Sequence, residues 1–241
     1  MGDSENGLVA SGENPASGAR AMRAITISRE YGSGGGEIAA RLAKRLSWKL
    51  IDHEIVAEVA RELGITHEEA EQRDERTEGI IARMLAAMAA AEPSVFVPVD
   101  PPRLLDSDAY RDALHRVVTV SVAGGHAVIV GRGAQVILKD QRDVLHVRFV
   151  APLEKRIAYV ARREELDIPE AQQRIQEKDR SRQQFVQSLY SARPDDARLY
   201  DIVLNTGILS LDACVELVCL ALERKADRLT LPDGELGPGA G

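Results

Sequence analysis

Residues 25–37 read Ile-Thr-Ile-Ser-Arg-Glu-Tyr-Gly-Ser-Gly-Gly-Gly-Glu, and this glycine run constrains the fold more than any other stretch of the chain. An apolar, strand-like segment enters it, a turn without bulky side chains follows, and Ile38 to Leu46 continues with helical spacing. Strand, glycine turn and helix in that order build a phosphate-binding loop. Glycines let successive backbone N–H groups turn inward, and the helix N-terminus behind them adds partial positive charge. A turn of this kind can also join strand to helix with no ligand, so the surrounding residues decide between the two readings.

The familiar phosphate-loop pattern GxxxxGK(S/T) ends in a lysine that reaches the outer phosphates and a hydroxyl that holds magnesium. Here those two places are Gly35 and Gly36. The principal charge of such a site must therefore come from elsewhere. Ser33 is the one hydroxyl inside the glycine run itself.

At 241 residues and 44% hydrophobic content, the chain is long enough for one full core, with or without an inserted lid. A net charge of −7 argues against a general nucleic-acid binder. No apolar run approaches the roughly 18 residues that a membrane span requires. The first twenty residues carry Asp3, Glu5 and Glu13 and no apolar segment, unlike a secretory signal. Cys214 and Cys219 sit in a helix-like apolar stretch and read as reduced, buried side chains. The cytoplasm is the expected location, without membrane or nucleic-acid partners.

Beyond a Gly- and Ser-rich leader at 1–22, expected to be disordered, short β-rich runs fall at Ala24–Ser28, Lys49–Asp52, Ala127–Gly131, Val144–Val150 and Asp201–Asn205. Helical patterns lie between them, at Gly36–Leu46, His53–Leu63, a capping-box start at Thr66 with Glu69, Gly79–Ala90, Ser107–Ala123, Leu153–Glu165, Glu170–Gln187 and Leu211–Arg228, the last behind Ser210 as N-cap. Such alternation predicts an α/β fold: a five-stranded parallel sheet covered on both faces, with ligands at the carboxyl ends of the strands. The stretch at about 75–106 breaks the pattern and is expected to be an insert, serving either as a binding element or as a homodimer contact. Residues 231–241 read as a flexible tail.

Phosphoryl transfer depends on alignment and on cations spread over the moving group, so arginines are the residues to seek. Arg29 directly follows the first strand, where it can replace the absent lysine or pair at the surface with Glu30 or Glu37. Asp52 ends the second strand and can orient an acceptor or a metal-bound water, cap the next helix, or do both. Arg132, between Gly131 and Gly133, stands at a strand's carboxyl end, either toward phosphate or in a solvated turn. Arg156, Arg162 and Arg163, with Arg180 and Arg182, form a cationic helix pair interleaved with acids. That pair reads either as a solvated face or as a lid at about 160–190, with a break expected before Gln183. The histidines show no metal-ligand spacing.

Six segments together resemble the cytidylate kinase-like family of P-loop proteins, divergent relatives of the bacterial cytidylate kinases. They are ITISREYGSGGGEIAARLAKRL at 25–46, LID at 50–52, VIVGRGAQVIL at 128–138, VLHVRFVAPLEKRI at 144–157, IQEKDRSRQQFV at 175–186 and LYDIVLNT at 199–206. The resemblance spans about 23–225. It implies a P-loop NTPase fold of the nucleoside-monophosphate-kinase type, with a helical insert and a lid. ATP with Mg²⁺ would be the donor, and a nucleoside monophosphate or other small phosphate acceptor the partner. In that frame Gly32, Ser33, Gly34, Gly35, Gly36 and Glu37 hold donor phosphates. Arg132 matches the arginine of the family's GRD motif, Arg180 and Arg182 match lid arginines, and Asn205, Thr206 and Gly207 lie near the donor base. The departures are Gly35 for lysine, Gly36 for the hydroxyl, Gly133 for the GRD aspartate, and HEIVAE after Asp52. They leave room for a catalytically silent nucleotide-binding protein or for a kinase of a non-nucleotide small molecule.

Overall fold

The computed structural model describes residues 21–52, 107–232 and 235–236. Within them β1 (Ala24–Arg29), β2 (Lys49–Ile51), β3 (Ala127–Val130), β4 (Val144–Val150) and β5 (Ile202–Asn205) form one sheet in the order β2-β3-β1-β4-β5. Every pairing is parallel. The helices are α1 (Gly35–Leu46), α2 (Ser107–Ala123), α3 (Ala134–Ile137), α4 (Leu153–Glu164), α5 (Ile168–Tyr190) and α6 (Leu211–Ala226), and one 3₁₀ turn spans Ala197–Leu199. The expected helices at 53–63, from 66 and at 79–90, the insert at 75–106 and residues 1–20 of the leader lie outside the described residues.

Parallel strands need crossovers, and the crossovers cover both faces of the sheet. Side chains alternate along each strand, so Ile25, Ile27, Leu145, Val147 and Phe149 pack beneath α1 and α6. Ala24, Ala127, Ile129 and Val144 face α2, α3 and the end of α5 instead. Helix α1 is set by its apolar stripe Ile38, Ala39, Leu42 and Ala43, with Glu37 in its first turn and Lys44 and Arg45 in its last. Helix α2 buries Tyr110, Ala113, Leu114, Val117, Val118 and Val122, a 3.6-residue stripe.

Helix α5 differs from the sequence expectation. It begins at Ile168, because Asp167 and Glu170 form a reciprocal capping box, and it runs unbroken to Tyr190. There is no break before Gln183, because the helix is anchored at both ends. Ala171 and Ile175 pack with Val160 of α4, and Phe185 and Val186 enter the core under the sheet. The polar middle of α5, from Lys178 to Arg182, is thereby suspended across the carboxyl ends of the strands. Two further elements, α3 and the 3₁₀ turn, were not expected. Each is a single turn, too short for a periodic signal.

Candidate active site

The chain leaves β1 at Arg29 and enters the glycine loop under several backbone restraints. Glu30 N–H donates to the Phe149 carbonyl at 3.1 Å, and the Glu30 carboxylate accepts Ala151 N–H at 3.0 Å. Ser33 folds back on the same residue, its N–H and hydroxyl reaching the Glu30 carbonyl at 3.3 and 2.9 Å. Gly34 is left-handed (φ 75°) and starts α1. The first amides of α1 have no intrahelical partner and open toward the strand ends.

Arg29 is half-buried and lies directly over this loop. A Cβ at residue 35 would stand 2.9 Å from Arg29 Cβ, 3.2 Å from its Cδ and 3.3 Å from Phe149 Cδ2. The volume that a phosphate-loop lysine would enter is therefore filled by the stem of Arg29. Its guanidinium sits 3.6 Å from the Asp52 carboxylate. Burial pushes the Arg29 pKa down to about 10, the charges of Arg182 and Arg132 push the same way, and Asp52 opposes them.

Arg182 reaches in from the middle of α5. It donates to the Arg29 carbonyl at 3.1 Å, and its guanidinium carbon stands 5.2 Å from the centre of the Tyr31 ring. Burial lowers its pKa, which Asp179 resists. Tyr31 is the hinge of this corner. Its N–H donates to Asp179 at 2.7 Å and its hydroxyl to Glu164 at 2.6 Å; burial and that carboxylate raise the phenol to about 12. Arg156 completes the fastening, donating to Asp179 at 2.5 Å, the Tyr31 carbonyl at 3.2 Å and the Ala151 carbonyl at 3.0 Å.

Arg132 occupies a strained turn. Gly131, Arg132 and Gly133 are all left-handed, with φ of 77°, 61° and 68°. A non-glycine residue in that region costs on the order of 1 kcal/mol, and such strain concentrates at functional sites. At Gly133 a Cβ would stand 2.5 Å from the Tyr190 ring, so the place of the GRD aspartate is closed by an aromatic side chain.

These groups surround one cavity of about 770 Å³ at the carboxyl ends of the strands. Of the residues singled out from sequence, Arg29, Gly32, Gly34, Gly35, Gly36, Asp52, Gly131, Arg132, Gly133, Arg163 and Arg182 line it. The others are placed differently. Ser33 is buried with its hydroxyl turned to Glu30. Glu37 is tied to Arg41 and to the Tyr159 hydroxyl. Arg156 is spent on the Asp179 and Tyr31 contacts, and Arg180 is exposed on the outer side of α5. Asn205 accepts Gly207 N–H at 2.9 Å within its own turn, and Thr206 donates to the Ser33 carbonyl at 2.8 Å, bracing the loop from behind. Sequence reasoning passed over Tyr31, Asp179 and Arg148. For Arg148 the signal was present, as a lone arginine inside the apolar run Val144–Val150.

A parallel sheet in this order, with a glycine loop between β1 and α1 at its carboxyl edge, defines a P-loop NTPase fold of the nucleoside-monophosphate-kinase type. The sequence profile of the cytidylate kinase-like family matches residues 24–208, and the chain belongs to that family. A cytidylate kinase of Methanopyrus kandleri is 28% identical over 212 residues, covering 85% of this chain and 95% of that protein. One from Thermococcus sibiricus is 33% identical over 115 residues, 48% of this chain and 56% of that protein. Among solved structures, an uncharacterized protein from Eubacterium ventriosum shares the fold with a TM-score of 0.59 at 20% identity, covering 83% of this chain and 98% of that one.

Proposed function

We propose that the protein is an ATP-dependent kinase that transfers the terminal phosphoryl group to a nucleoside monophosphate of the cytidylate type or a related small phosphate acceptor. The observation that carries this reading is the convergence of Arg29, Arg132 and Arg182 on one cavity beside the glycine loop, close enough for Arg132 and Arg182 to depress the Arg29 pKa. Gathering like charges in a half-buried place opposes folding, and a polyanionic ligand offsets that cost. The family and the relatives named cytidylate kinase support the same chemistry.

In this reading the amides of Gly34 to Gly36 receive the donor's phosphates, and Arg29 stands in for the lysine. Arg132 and Arg182 spread charge over the transferring group, and Asp52 orients the acceptor or a metal-bound water. The residues fit a triphosphate, since backbone donors and guanidinium groups face the same space. They fit magnesium through Asp52 and not through a loop hydroxyl, since residue 36 is glycine and Ser33 faces away. When bound, magnesium neutralises donor-phosphate charge. The α4–α5 hairpin serves as the lid, already fastened to the loop by Asp179, Arg156 and Glu164.

Coupled detection of ADP with Mg·ATP and a panel of CMP, dCMP, UMP and AMP tests the proposal. Turnover with at least one acceptor is expected, and Arg182→Met should lower it by orders of magnitude while thermal unfolding changes little. ATP that stabilises the fold without ever yielding ADP would favour a silent nucleotide-binding protein, the reading to which the missing lysine points.

A further inference from the structure

The strand register separates a second cation from the phosphate cluster. Arg29 is paired with Phe149, and both side chains lie on the α1 face of the sheet. Arg148 is paired with Ser28, one residue earlier, so its side chain lies on the opposite face, toward α5. Both arginines nevertheless line the same cavity, which wraps over the carboxyl edge of β1 and β4.

Arg148 is held in place from two sides. Its Nη1 donates to Ser28 Oγ at 3.1 Å, and its guanidinium carbon lies 5.7 Å from the centre of the Tyr200 ring. Tyr200 is itself fixed, its hydroxyl donating to the Pro194 carbonyl at 2.7 Å and lying 3.1 Å from Ser28 Oγ. The guanidinium has five N–H donors in a rigid fork, and the one hydrogen bond to Ser28 leaves the others to face the cavity. The carboxylate nearest in charge terms, Asp195, is already held by Arg193 through two contacts of 3.2 and 2.8 Å. Among the described residues Arg148 forms no ion pair. Among the described residues this half-buried, immobilised cation faces only the more distant charge of Asp195, and its uncommitted N–H donors line a cavity where an anion can be received.

We propose that Arg148, with Ser28, anchors a second anionic group of the acceptor, a phosphate or a carboxylate remote from the group that Arg29, Arg132 and Arg182 receive. This rests on the kinase reading and narrows its acceptor to a molecule with two separated anions.

The test uses the full chain with saturating Mg²⁺ and a non-hydrolysable ATP analogue. It is titrated with two one-anion ligands, CMP and UMP, and two two-anion ligands, cytidine 3′,5′-bisphosphate for phosphate and orotidine 5′-monophosphate for carboxylate. Wild type should bind at least one two-anion ligand about tenfold or more tightly than its one-anion counterpart. Arg148→Met should weaken that ligand by about 10- to 100-fold, the effect of losing hydrogen bonds to a charged group, and leave CMP and the ATP analogue within about twofold. Arg148→Lys, which keeps charge but not the fork, should retain part of the preference. Equal binding of one- and two-anion ligands by wild type, or a loss in Arg148→Met shared equally by CMP, overturns the assignment. If the ATP analogue fails to stabilise wild type, the kinase reading falls, and the same titrations without nucleotide still decide the role of Arg148.

Discussion

Restoring the conventional lysine at residue 35 should damage this protein. A Cβ there would lie 2.9 Å from Arg29 Cβ and 3.3 Å from Phe149 Cδ2. Neither atom is the free end of a flexible chain: one is fixed to strand β1 and the other belongs to a fully buried ring. Overpacking of this kind costs about 1–3 kcal/mol, equivalent to roughly 2–4 °C of Tm for each kcal/mol in a chain of this size. Gly35→Lys should also displace the Arg29 guanidinium from Asp52, so activity should fall although the standard motif has been completed. Removing the obstacle reverses the sign. In Arg29→Gly/Gly35→Lys the new side chain enters the vacated volume, and both stability and ADP production should exceed those of Gly35→Lys alone. Urea unfolding and coupled ADP detection on the four proteins of this cycle measure the coupling directly. A Gly35→Lys protein as stable as wild type and more active would refute the claim that Arg29 occupies the lysine's place.

Two further variants probe strain and charge. Arg132→Gly relieves a left-handed non-glycine residue at φ 61°, so it should unfold at or above the wild-type temperature while losing phosphoryl transfer; a parallel loss of stability and activity would contradict a role confined to the ligand. His146 is buried, its Nδ1 2.7 Å from the Thr26 hydroxyl, and burial lowers its pKa to about 4, helped by Lys225 and resisted by Asp201. The folded chain therefore binds fewer protons than the unfolded chain between about pH 6.5 and 4, and stability present above that window is lost on acidification. His146→Asn should flatten that part of a stability-against-pH curve from urea titrations.

The sheet was legible because each strand is a short apolar run punctuated by glycine, proline or charge. All five lie where those runs predict, within a residue or two at their ends. Helix α5 was less so: its polar middle, Lys178 to Arg182, reads as a break in an amphipathic pattern, whereas packing at both ends carries the helix across the cavity. Its true start was visible in Asp167 and Glu170, a capping box in plain sequence. The departures at Gly35 and Gly133 were also visible, but their causes were not. Arg29 and Tyr190 fill those two volumes through contacts that only the folded chain creates. Arg148 escaped notice because its meaning depends on which face of β4 it occupies and on Tyr200, which is distant in sequence.

The central claim is that backbone amides of the glycine loop and guanidinium groups from β1, the Gly131–Gly133 turn and α5 receive one polyphosphate. A crystal structure with a non-hydrolysable ATP analogue and Mg²⁺ tests it most directly. The account predicts the outer phosphates within hydrogen-bonding distance of Arg29 and Arg182 and over the amides of Gly34 to Gly36. Phosphates bound away from that cavity, or Arg29 still turned to Asp52 with no phosphate beside it, would contradict it.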